Sequence, residues 1–64
     1  MDNYKEAIVE LRMKLNVSQE ELAKMLGVSF SSVNRWENGR HMPTKIVKLK
    51  LSKLFKENGI KVED

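Results

Sequence analysis

Between Val28 and Arg40 the chain reads VSFSSVNRWENGR. Four of these residues, Phe30, Ser31, Asn34 and Arg35, could act on a partner without any covalent chemistry. On a helix advancing about 100° per residue, with Ser29 at 0°, Phe30 lies at about 100°, Asn34 at about 140°, Ser31 at about 200° and Arg35 at about 240°. Val33 at about 40° and Trp36 at about 340° mark the opposite, inward side. The outer face is rich in hydrogen-bonding groups and carries one aromatic ring. Such a face suits the edges of base pairs. Arg can bond guanine O6 and N7 together, Asn can bond adenine N6 and N7, Ser fits several edges, and an apolar group can meet a thymine methyl. An ordinary exposed helix with Phe30 folded back on its neighbour would show the same residue types.

Other chemistries lack their parts. There is no Cys, and the one His is His41, so a thiolate site, a His-based metal cluster or a nucleophile–base triad cannot be assembled. The expectation is no enzyme, no metal and no cofactor. The start, MDNYKE, has neither a basic nor an apolar leader region, and no apolar run approaches a membrane span. A cytoplasmic chain with no membrane partner is expected. Charge is uneven: residues 1–27 carry net −1 and residues 28–64 net +4, with seven cations and Glu37 alone between Arg35 and Lys56. A basic half points to a polyanionic partner, although a solvated lysine-rich helix face carries the same charge.

Sixty-four residues make a single domain, 1–64, whose small core depends on well-packed helices. Tyr4, Ile8, Leu11 and Leu15 form the first apolar stripe, with Asn3 and Glu6 as its start signal and Asn16-Val17 as its break. Ser18-Gln19-Glu20-Glu21 is a capping box. Leu22, Ala23 and Leu26 follow, and Gly27 ends this second helix in a left-handed conformation. Ser29 caps the third, which Asn38-Gly39 ends. Pro43-Thr44 opens a fourth, running from about Thr44 to Asn58, with Gly59 as its stop. On that helix Ile46, Leu54, Val47, Leu51 and Phe55 define the inward arc; Lys50 intrudes into it and Leu49 lies outside it. Residues 59–64 read as a tail, with IKVED frayed. The fold class is all-α: a compact four-helix domain around a helix-turn-helix at about 18–38. In that plan one helix crosses the DNA backbone and the next enters the major groove.

The stretch LRMKLNVSQEELAKMLGVSFSSVNRWENGR resembles the phage repressor and Cro-type helix-turn-helix family, also called the Xre family. The resemblance is carried by Leu11-Arg12, Ser18 to Ala23, Leu26 to Ser29, Val33 and Trp36 to Gly39, and covers residues 4–54. It implies a lambda-repressor-like fold and sequence-specific binding of double-stranded DNA by a transcriptional repressor or regulator that occupies an operator. Base contacts then fall to Phe30, Ser31, Asn34 and Arg35. Phe30 departs from the polar residues usual there, which leaves it a thymine methyl or a sugar. Phosphate contacts fall to Gln19, Ser32, Asn38, Gly39, Arg40 and Lys45. Arg12 and Glu37 match a pair of positions that joins the first helix to the third as a partly buried ion pair. Trp36 is core by its angle, and His41 is an exposed loop residue. A homodimer on a two-fold symmetric site stays open, since a fifth helix usual in the family has no counterpart before Asp64. The alternative function is an antitoxin or other protein-interaction module, with a toxin as partner.

Overall fold

The computed structural model describes residues 4–62. They form four helices: α1 Tyr4–Leu15, α2 Gln19–Leu26, α3 Phe30–Glu37 and α4 Lys45–Glu57. The proposed Asn3 cap of α1 lies outside the described residues.

Local chemistry starts the other helices. The Ser18 hydroxyl accepts from the Glu21 N–H at 3.0 Å, and the Glu21 carboxylate accepts from the Ser18 N–H at 2.8 Å. Both halves of the capping box are therefore made. Ser29 accepts from the Ser32 N–H and caps α3, and Thr44 accepts from the Val47 N–H and caps α4. The helices also share one way of ending. Just past each, one residue takes the left-handed conformation: Asn16, Gly27, Gly39 and Gly59. The following N–H then reaches back five residues, from Val17 to the Arg12 carbonyl, Val28 to Ala23, Arg40 to Arg35 and Ile60 to Phe55. This is the Schellman closure, in which the residue after the turn often packs back on the helix. Val17 and Val28 do so partly, and Ile60 completely.

The core is built from Tyr4, Ala7, Ile8 and Leu11 of α1, Leu22, Ala23 and Leu26 of α2, Val33 and Trp36 of α3, and Val47, Leu51 and Phe55 of α4. The Tyr4 and Phe55 rings meet at 6.2 Å between centroids, and the Lys48 ammonium lies 5.2 Å from the Tyr4 ring centre. α3 packs on both α1 and α2, and α4 closes the base against α1 and α2. Since α3 is held from two sides, only one of its faces is left free.

Three expectations are corrected. The tail is not frayed at Ile60, which is buried and belongs to the core, with Val62 packed beside it. The left-handed turn at Gly59 folds the chain back and brings that side chain inward. On α4, Ile46 is not part of the inward arc: it is 70% exposed, so the arc runs from Leu54 through Val47 and Leu51 to Phe55. Lys50 does not intrude; its ammonium donates to the Leu26 carbonyl at 3.2 Å and so caps the C-terminal end of α2. Leu49 is exposed.

Candidate nucleic-acid interface

Val33 and Trp36 anchor α3 in the core, and its outer side is presented by that anchoring. Phe30 is half exposed, Ser31 and Arg35 are exposed, and Asn34 is half-buried beside α2. The side chains of Arg35, Arg40 and Lys45 make no hydrogen bond or ion pair among the described residues and are exposed, so their charges are free to meet an anion. Gly39 turns the chain after α3 with φ of 74°, a conformation that strains any residue with a Cβ. The turn carries Arg40 and His41, both exposed, past the end of α3. A groove of about 240 Å³ follows this side, lined by Val28, Ser32, Arg35, Trp36, His41, Met42, Thr44 and Val47. Ser32 sits at its edge, its hydroxyl 3.1 Å from that of Ser29.

Behind the face lies a polar frame. Arg12 donates from Nε to Glu37 Oε2 at 2.6 Å and from its second guanidinium nitrogen to Oε1 at 2.9 Å, a fork that joins α1 to α3. Its remaining nitrogen donates to the Val17 carbonyl. Glu37 Oε1 also accepts from Gln19 Nε2 at 2.8 Å, which ties in α2. Burial of the carboxylate would raise its pKa, but the hydrogen bonds from Arg12 and Gln19, with the Arg12 charge, outweigh this and hold it below the usual range. On Arg12 the bond to Glu37 outweighs desolvation and raises the pKa further.

Sequence reasoning placed Gln19 and Asn34 in separate roles. The structure brings them together: Asn34 Nδ2 donates to Gln19 Oε1 at 3.2 Å, and Asn38 Nδ2 donates to Asn34 Oδ1 at 2.9 Å. The three amides thus form one chain ending on Glu37. No signal in the spacing announced it, because residues 19 and 34 meet only through the α2–α3 crossing. Phe30, Ser31 and Arg35 share the outer face with Asn34, whereas Asn38, Gly39 and Arg40 form the adjoining turn and Lys45 opens α4.

A short helix laid over the end of another by a glycine turn, with its own outer face open, defines a helix-turn-helix module. The chain belongs to the helix-turn-helix family of the Xre, lambda-repressor type, whose model matches residues 8–60. It is similar to a putative HTH-type transcriptional regulatory protein of Pyrococcus furiosus, 44% identical over 59 residues, covering 92% of this chain and 19% of that protein. It also resembles uncharacterized HTH-type transcriptional regulators of Methanocaldococcus jannaschii, 41% identical over 77% of this chain and 70% of the relative, and of Bacillus subtilis, 35% identical over 94% and 86%. The chain therefore spans about a fifth of the archaeal protein from Pyrococcus and most of the other two. No solved structure gives a significant match.

Proposed function

We propose that the chain binds double-stranded DNA sequence-specifically and regulates transcription by occupying an operator, with α3 in the major groove. The carrying observation is the outer face of α3: Phe30, Ser31 and Arg35 are open to solvent while a three-helix hydrogen-bonded frame fixes the helix behind them. A helix held this way brings its side chains to base edges with little freedom left to lose on binding. Phosphate contacts from Gln19, Ser32, the Asn38-Gly39-Arg40 turn and Lys45 would set its register on the duplex. The regulator names of the relatives support the same reading, and a toxin-binding role for the fold is not favoured.

Selection of bound sequences from random duplex DNA tests the proposal. Enrichment of a short motif is the expected result, and an inverted pair with centres about 34 Å apart would add that two chains bind one site. Recovery of unenriched sequence at low salt would overturn it.

A further inference from the structure

We propose that Glu37 fixes which base Asn34 reads, acting through the Gln19 amide and touching no DNA itself; this rests on the reading that the outer face of α3 meets base edges. A side-chain amide has nearly the same shape in both orientations. Turning it over exchanges a donor for an acceptor and changes the base edge it matches. What selects one orientation of Asn34 is therefore a question about its neighbours.

A carboxylate only accepts. The Glu37 side chain is 8% exposed, and its Oε1 takes hydrogen bonds from both Arg12 and Gln19. Gln19 must therefore present Nε2 to Glu37, and its oxygen is left facing α3. That oxygen accepts from Asn34 Nδ2, which turns Asn34 Oδ1 away, toward the Asn38 amide. The Asn38 side chain is exposed and can follow either orientation; the carboxylate cannot. So the polarity of the chain is set at Glu37 and handed outward through Gln19. Asn34 keeps one N–H and one lone pair uncommitted, the pair that matches adenine N7 and N6. Gln19 also keeps one N–H, so a phosphate contact from the same amide is compatible with this role. Glu37 and Gln19 are positioning residues.

Binding of the full chain to a set of duplexes varied one base pair at a time reads the effect. The unsubstituted chain should favour one base at the Asn34 position by roughly 5- to 150-fold. Gln19→Met keeps the length and removes the amide. It should shrink that preference to about twofold while the preference assigned to Arg35 stays, even if all affinities fall together through a lost phosphate contact. Glu37→Gln should relax the same base pair, since either end of its amide can face Gln19. In the free protein, NMR should show a slowly exchanging Asn34 side-chain amide proton that speeds up in Gln19→Met. An unaltered preference in both variants, or fast Asn34 exchange in the unsubstituted chain, would overturn the inference while leaving DNA binding standing. No base preference in the unsubstituted chain, with that proton still protected, would overturn the DNA reading and the inference with it.

Discussion

Arg12 and Glu37 lie 25 positions apart in the chain, and the ion pair between them is where α1 meets α3. The guanidinium side chain keeps 22% of its exposure and the carboxylate 8%, so removing Arg12 strands a mostly dry charge. Breaking such a pair costs about 3–5 kcal/mol when both ions are fully buried; with Arg12 partly in water, about 2 kcal/mol is expected for Arg12→Met. A double-mutant cycle on unfolding free energy should give a coupling above ~0.5 kcal/mol. Additive losses would mean that the pair contributes nothing as a pair. The same contact gives a pH dependence. The folded-state pKa of Glu37 lies below its ordinary value of 4.5, so its contribution is present in full above about pH 4.5 and fades as pH falls through the lower folded value. Thermal melts between about pH 6 and pH 2 should show stability dropping toward acid. The drop should be smaller in Glu37→Gln; the Glu21 carboxylate, also lowered by its bonds to Ser18, keeps the remainder. Equal slopes for both proteins would remove Glu37 as a source. The DNA contact proposed for Arg35 has two candidate groups, a base edge and a phosphate. The guanidinium is exposed and has no partner among the described residues, and its planar fork suits one guanine edge. Arg35→Ala should cost about 1–3 kcal/mol on the preferred site and relax one base position, whereas a phosphate contact would weaken preferred and random duplexes alike.

Among the elements, the Schellman closures explain both what the sequence disclosed and what it withheld. Gly27, Asn38-Gly39 and Gly59 marked helix ends because a left-handed turn is a local demand that glycine meets at low cost. Ser18 with Glu21, Ser29 and Thr44 marked starts for the same local reason. Ile60 was misread because its burial depends on where the Gly59 turn points the chain, which only the packed α1 and α4 decide. Ile46 was misread because a helical wheel has no edge of its own; the neighbour ends the arc, and Ile46 in the first turn of α4 stays 70% exposed. The outer face of α3 was legible because Val33 and Trp36 fix the inward direction. The amide chain behind it was not, since Gln19 could face a phosphate or a carboxylate equally well by composition. Ile60→Ala tests the closure of α4. The side chain is 6% exposed, so about 2 kcal/mol should be lost, at the low end for a buried Ile because it lies at the edge of the core. In so small a domain that is a melting-temperature drop of roughly 10 °C. A shift under about 2 °C would place Ile60 in water and restore the frayed tail.

Over the whole molecule the charge is +3, with a sequence pI of about 9.4, and the exposed cations without a side-chain partner among the described residues include Arg35, Arg40 and Lys45. This arrangement bears on how affinity is divided between contact and counterion release. Each phosphate neutralised by a cation frees condensed counterions, and the logarithm of affinity then falls linearly with the logarithm of salt, by about 0.9 per phosphate on duplex DNA. The neutral phosphate contacts proposed for Gln19, Ser32 and the Gly39 turn would add affinity but release few ions. The two classes separate by slope. Lys45 follows the Thr44 cap at the start of α4, beyond the turn that carries Arg40, and among the described residues it has no acidic partner to screen it. Lys45→Ala should therefore reduce the salt slope by about one and weaken preferred and random duplexes by the same factor, leaving the ranking of sites unchanged. Gln19→Ala should weaken binding with the slope nearly intact. Fluorescence anisotropy titrations from about 50 to 200 mM salt measure both quantities. A Lys45→Ala protein with the parent slope and affinity would take the start of α4 off the DNA surface and leave the charge of the phosphate contact to Arg40.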